Sequence, residues 1–297
     1  MMLTVTLVAP EGALDAAIVA ETAGRLNAAG GEAGSAVWLS PGRAAEFTVL
    51  DLPEPDTRAT VEAALRDAAV DRCVLPAEGR RKRLLIADMD STILVNETLD
   101  EISAEAGFGE IVADITARSM RGELNFEDSL RERVALLAGR DAATIDTVLD
   151  RISLNPGAAA FVATMRAHGA VTALISGGFT MFTDKVSDWL GFHVSKANEF
   201  EIDDGKLTGR LVGGIVGRET KLEWLTSLGS EHGIPAHDAL TIGDGANDLA
   251  MITAAGLGIA YHGKPILREA ADARIDHTDL RTALYYQGYS DDEIVES

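Results

Sequence analysis

Cys73 is the only cysteine in 297 residues. One thiol closes no intramolecular disulfide, and such sparing use of cysteine fits a reducing, cytoplasmic setting. Basic residues are scarce as well: 26 Lys and Arg against 47 Asp and Glu give a formal net charge of −21. A chain this acidic is a poor partner for nucleic acid or anionic membrane. Any site for an anionic substrate must therefore be positive locally. No apolar run approaches the length of a membrane span. Met1-Met2-Leu3-Thr4-Val5 has no basic residue ahead of its apolar part, so no signal peptide is expected. GxxxxGK[ST] is missing, and no glycine-rich stretch opens as GxGxxG after a strand, which argues against a nucleotide-binding loop. The 6 histidines are scattered without metal-ligand spacing, and no internal repeat or low-complexity segment stands out.

The length suits one large or two ordinary domains, and 46% hydrophobic content supports a sizeable core. The chain is organised around Leu84-Leu85-Ile86-Ala87-Asp88-Met89-Asp90-Ser91-Thr92. Four apolar residues without alternation predict a strand buried on both faces of a parallel sheet. Ligand sites of open α/β sheets lie beyond the carboxyl ends of the strands, which is where Asp88 and Asp90 fall. Two carboxylates so close repel each other, and a divalent cation relieves the repulsion. Alone, the same residues read more readily as a strand followed by an Asx turn.

Residues 1–78 read as a small separate unit. Leu3 to Val8 is strand-like, and Leu14, Ile18, Thr22 and Leu26 recur at helical spacing before Gly30-Gly31. Two β-type runs, Ser35 to Leu39 and Glu46 to Leu50, flank the turn residues Pro41-Gly42. Val61, Leu65 and Ala69 imply a second helix, and Arg72 to Leu75 a last strand. That βαββαβ order is ferredoxin-like α+β. Glu78 to Arg83 then forms a basic connector, expected to be a solvated linker.

Residues 79–297 carry the α/β pattern, with the core at 79–96 and 153–297 and a helical insert at about 97–152. Within the insert, Phe126, Leu130, Val134 and Leu137 form an apolar stripe, and Arg133 points almost along it. A guanidinium there needs an anion, supplied by either a structural ion pair or a ligand. Val171 to Ile175 is a second buried strand, ending in Ser176-Gly177-Gly178. Phe200 to Leu207 predicts a hairpin with an Asp-Gly turn. Ala239 to Ile242 is a third buried strand, ending in Gly243-Asp244-Gly245-Ala246-Asn247-Asp248, and Leu257 to Ala260 a fourth. Adjacent strands would align Asp88, Asp90 and Asp244 along one edge, a carboxylate set suited to Mg²⁺. Glycine backbone and a helix N-terminus after Gly178 suit phosphate, and Lys221 could add a cation. Taken singly, Ser-Gly-Gly is a turn and Lys221 a surface residue; their coincidence at successive strand ends is what points to chemistry.

These motifs resemble the haloacid dehalogenase superfamily. Asp88 to Thr92 matches DxDx[TV], Ser176 the second-motif hydroxyl, Lys221 the third-motif lysine and Gly243 to Asp248 the GDGxND motif. Within it, the stretches Asp88 to Glu97, Leu124 to Val134, Ile175 to Phe179, Asp204 to Gly209 and Gly243 to Asp248 resemble the phosphoserine phosphatase family. The likeness runs from about Leu84 to Arg281, with no departure at a catalytic position. The first unit resembles, less clearly, the ACT-type regulatory fold. The resemblance implies a Rossmann-like core with helices on both faces, a helical cap and Mg²⁺-dependent hydrolysis of O-phosphoserine through an aspartyl-phosphate, the last step of serine biosynthesis. Asp88 would be nucleophile and Asp90 acid then base. Asp88, the Asp90 carbonyl and Asp244 would hold the metal. Ser176, Gly177 and Lys221 would hold the phosphoryl oxygens, with Asn247 orienting the phosphate or substrate and Asp248 bracing. Glu97 would meet the substrate ammonium, Arg133 its carboxylate, and Phe126 would form an apolar wall. Other readings are a related phosphatase or phosphotransferase for phosphothreonine or phosphohomoserine, and an amino-acid sensor on an inactive phosphatase body. A homodimer is left open.

Overall fold

The structure, a computed structural model, describes residues 1–120 and 123–296. It begins with β1 (Leu3–Val8), α1 (Ala16–Ala28), β2 (Glu32–Ala33), β3 (Val37–Ser40), β4 (Ala44–Leu50), α2 (Glu54–Ala64) and β5 (Asp71–Pro76). β1 lies between β4 and β5, antiparallel to both, and β2 and β3 each pair with β4. This is the ferredoxin-like order, with the second strand split in two. Successive β1 side chains point to opposite faces. Leu3, Val5 and Leu7 join the unit's own core, whereas Val8 belongs to the larger core of the rest of the chain. Every β1 residue is consequently buried.

The second sheet starts at β6 (Leu84–Ala87), whose four residues are at most 1% exposed. After it come α3 (Thr98–Glu105), α4 (Gly109–Met120), α5 (Phe126–Ala135), α6 (Ala143–Leu149), α7 (Ala158–Ala167), β7 (Val171–Phe179), α8 (Thr180–Leu190), β8 (Val194–Asp203) and β9 (Lys206–Val212). The remaining elements are α9 (Arg218–His232), β10 (Ala239–Gly243), α10 (Leu249–Ala254), β11 (Leu257–Tyr261), α11 (Pro265–Ala270), β12 (Ala273–Ile275) and α12 (Thr282–Tyr286). The seven strands run β12-β11-β10-β6-β7-β8-β9. All neighbours are parallel except the β8–β9 hairpin. β6 is central, so its unbroken apolar run is what burial on both faces demands.

α3 to α6 form the cap. Its two ends meet as a short antiparallel bridge, Leu94 with Leu154. Asn155 Nδ2 donates to the carbonyls of Thr92 and Leu94, and Ser153 N–H donates to Asn96 Oδ1. The far side rests on the hairpin, where Gly139 N–H donates to Leu207 O. Gly209 has φ +79, and a Cβ there would lie 2.9 Å from Ala138 Cβ, so the glycine lets cap and hairpin touch.

The basic connector is not a solvated linker. Arg80 pairs with Glu46 at 2.6 Å, and Arg81 binds Glu293 and stacks over Tyr289. Lys82, only 9% exposed, donates to the carbonyls of Gly79 and His237. The cations face carboxylates and rings from both units, and that tertiary complementarity overrides the usual solvation of a charge run. Asp71 adds a denser tie: it is 3% exposed and accepts from Asp276 N–H, His277 N–H and Thr278 Oγ1. Asp71→Ala strands those donors, so a loss of about 2–4 kcal/mol is expected, measured by denaturant unfolding.

Candidate active site

Three strands deliver the site. β6 ends at Asp88, whose N–H donates to Ile242 O and whose Oδ1 accepts from Met89 N–H. The chain then turns sharply, with Ser91 left-handed at φ 54, so Asp90 does not continue the strand. β10 ends at Gly243 and leads to Asp244. Gly243 is required because a Cβ there would collide with the Asp248 carboxyl. β7 bends: its pairing with β8 is regular through Ile175 and resumes only at Phe179. Ser176, Gly177 and Gly178 thus leave the ladder, and the expected strand end is a bulge. Asn198 fastens it, its Nδ2 donating to Gly177 O while its Oδ1 accepts from Val216 N–H. Ser176 is 1% exposed and its Oγ accepts from Gly178 N–H.

A lysine occupies the centre. α9 carries Lys221, which has no exposed surface. Its Nζ lies 2.7 Å from Asp88 Oδ1 and 2.6 Å from Asp248 Oδ1. Burial works against the ammonium, but Asp248 and Asp88 more than offset it, so its pKa is raised and it stays charged. Asp248 Oδ2 also accepts from Gly245 N–H at 3.0 Å. Asp248 is therefore committed to bracing Lys221 and its own loop.

Asp88, Asp244 and Asp248 bring carboxylate oxygens within 4.8 Å of one another. This all-oxygen set, without His or Cys, fits a hard divalent cation. Burial, followed by repulsion from Asp88, outweighs the pull of Lys264 and raises the Asp244 pKa. A cation beside both carboxylates would reverse that. Asp90 turns its side chain to the cap, where Thr98 N–H and Oγ1 donate to it at 3.3 and 3.2 Å. Burial, then Glu97 and Asp88, push its pKa well above the carboxylate range, which favours the protonated form.

The cap closes over these groups. Phe126 covers the bulge so tightly that a Cβ on Gly177 would lie 2.9 Å from its Cζ; one on Gly178 would lie 2.6 Å from Asp90 Oδ2. Glu97 accepts from Ser91 Oγ at 2.8 Å, yet burial leaves its pKa raised. Arg133 donates to Ser129 O and lies 3.6 Å from Asp100 Oδ1. Asp100 is a looser partner than a close ion pair, and burial still lowers the Arg133 pKa. The guanidinium is thus short of negative charge and can accept another anion. Asn247 is half-buried on the loop of Asp244, close enough that a Cβ on Gly245 would strike its Oδ1.

Two residues at the site have no counterpart in the sequence reading. Asn198 fastens the bulge, but a lone asparagine in a strand gives no signal. Lys264 Nζ lies 3.3 Å from Asp244 Oδ2. Its only signal is Gly263-Lys264-Pro265 directly after a buried strand, at a second strand end on the same edge.

Residues 85–253 match the family described as haloacid dehalogenase-like hydrolase. A phosphoserine phosphatase of Streptomyces coelicolor is 41% identical over 256 residues, 86% of this chain and 62% of that protein. The chain thus spans about three fifths of that relative's length. A solved haloacid dehalogenase family hydrolase from Salmonella enterica serovar Typhi has TM-score 0.85 at 26% identity, covering 99% of this chain and 100% of the other. A phosphoserine phosphatase solved as a phospho-aspartyl intermediate analogue has TM-score 0.66 at 42% identity, covering 69% of this chain and 99% of that one.

If Lys221 neutralises a buried acidic pair, Lys221→Met leaves two carboxylates facing each other without a cation. A loss of about 3–5 kcal/mol is expected, partly recovered in Lys221→Met with Asp248→Asn, as read by chemical denaturation of both variants.

Proposed function

The chain belongs to the haloacid dehalogenase-like hydrolases, and from that premise we propose that it is a Mg²⁺-dependent phosphoserine phosphatase of the cytoplasm. The domain boundaries that go with this reading are 1–78 for the N-terminal unit, 79–96 and 153–297 for the core, and 97–152 for the cap. The observation that carries it is the convergence of Asp88, Lys221 and Asp244 at the end of the central strands, beside a cap whose Arg133 lies within electrostatic reach of Glu97 and Asp90.

Asp88 attacks phosphorus, the bond to the seryl oxygen breaks, and an aspartyl-phosphate forms. Asp90, kept protonated by burial and its acidic neighbours, gives its proton to the departing oxygen and releases serine. The resulting Asp90 carboxylate then takes a proton from water as that water attacks phosphorus, freeing phosphate and restoring Asp88. Lys221, Ser176 and the Gly177 N–H hold the phosphoryl oxygens, with Asn247 orienting the group from the opposite loop. Asp88, Asp244 and the Asp90 carbonyl would hold Mg²⁺, which when bound neutralises charge between the carboxylate nucleophile and the phosphate.

Selectivity falls to the cap. Arg133 takes the substrate carboxylate as a charge-assisted pair, and Glu97 takes the ammonium. Phe126 closes the apolar side over Gly177 and keeps water away from the phosphoryl group. No helix of the described residues is long and apolar enough to cross a membrane.

Phosphate release from O-phospho-L-serine with Mg²⁺ tests the reading, and Asp88→Asn should abolish it. Arg133→Ala is expected to lower kcat/KM for phosphoserine by about 10- to 100-fold, as loss of a charged hydrogen bond implies. Turnover of a small aryl phosphate should fall less than about threefold, since that ester offers no carboxylate. Equal losses on both substrates would assign Arg133 to structure, and faster turnover of phosphothreonine than of phosphoserine would reassign the substrate.

A further inference from the structure

Two lysines reach the same acidic cluster, and their surroundings differ. Lys221 is enclosed, with no exposed side-chain surface and a carboxylate on each side. Lys264 is anchored at its backbone, and its side chain meets Asp244 from outside. Its N–H donates to Asp244 O at 2.8 Å, and Pro265 behind it opens α11. From there the side chain reaches over Asp244 from the solvent side, 47% exposed, and sets Nζ 3.3 Å from Oδ2. The Asp244 side chain is only 12% exposed, so little water competes with the ammonium for it.

An ammonium and a divalent cation cannot share one carboxylate without repelling each other. One of the two lysines cannot move aside, because it is fully buried between its partners. The other has a flexible four-carbon stem, half in water, and can. Resting on the reading of Asp244 as a ligand of the divalent cation, we propose that Lys264 is an internal counter-ion that occupies Asp244 in the metal-free protein and is displaced by the incoming cation. It stabilises the empty site and weakens the affinity for metal. A residue that merely held Asp244 in place would act with the opposite sign: its removal would loosen the ligand and weaken metal binding.

The test is calorimetric titration of Mg²⁺ alone, without substrate, into the full chain, together with melting temperatures in chelator and in saturating Mg²⁺. Lys264→Met is expected to bind Mg²⁺ roughly fivefold or more tightly than wild type, the scale of one partly exposed charge pair. It should melt below wild type in chelator, with the gap closing in Mg²⁺. Lys264→Gln, which keeps a hydrogen-bond donor without the charge, should move the same way, and Lys264→Arg should stay near wild type. Unchanged or weaker Mg²⁺ binding in both neutral variants, with wild-type binding intact, overturns the inference. Absence of Mg²⁺ binding by wild type itself would instead remove the metal reading of Asp88 and Asp244, and this inference with it.

Discussion

One buried ammonium makes the rest of the site affordable. Asp88, Asp244 and Asp248 crowd their oxygens at the end of two adjacent parallel strands, where water is largely excluded. Without Lys221 between two of them, desolvation would drive protons onto the carboxyls, Asp88 included. With it, one fixed cation lies 2.7 Å from Asp88 and 2.6 Å from Asp248. The constraint runs outward from there. Asp248 must reach Lys221, so Gly243 must lack a side chain; the loop must close tightly, so Gly245 N–H binds Asp248 back. A motif that looks like a string of small residues is the packing solution to one charge problem.

The cap answers a different requirement. On the proposed reading the core would handle a phosphoryl group and would be indifferent to what is attached to it. Glu97 and Arg133 come from the insert, and Phe126 bridges insert and core by covering Gly177. The two crossings between cap and core are bound to each other through Leu94, Leu154 and Asn155 rather than to the sheet. Cap position is therefore set by one short stalk, by contact with the β8–β9 hairpin and the β7 bulge, and by Lys185 of α8, whose Nζ donates to Leu149 O. Chemistry and selectivity are thus carried by separate bodies that meet at the bulge of β7.

What could be read in advance followed from how local each cause was. The unbroken apolar run of β6 and its terminal aspartates needed no knowledge of the rest of the fold. Lys221 was harder: its sequence neighbourhood is polar, and isolation would put it on the surface, yet it has no exposed surface at all. Only its match to a recurrent motif placed it among carboxylates. The connector from Arg80 to Lys82 shows the opposite failure. A run of cations reads as solvated because local sequence says nothing of Glu46, Glu293 and Tyr289, which lie far away in the chain. Asn198 was invisible for the same reason: what it binds is a backbone carbonyl 21 residues earlier. Strand ends can be anticipated from their own residues; bulges, bridges and counter-ions depend on partners brought together only by folding.

The acidity of the whole chain bears on this last point. A net charge of −21 seems wrong for a protein that would take up an anion. Screening separates the two scales, because charges farther apart than about 8–10 Å are largely damped at physiological ionic strength. On the proposed reading, an approaching phosphate ester would meet the local set: Lys221 at the floor, Lys264 over Asp244, and Arg133 on the cap. Against these stand Asp88, Asp90, Asp244, Asp248 and Glu97, so the pocket is itself acidic before any metal enters. On the proposed reading a divalent cation would offset this surplus of acids before an anionic substrate enters. The surplus of acids on the outside can vary without consequence for the site; the balance inside it cannot.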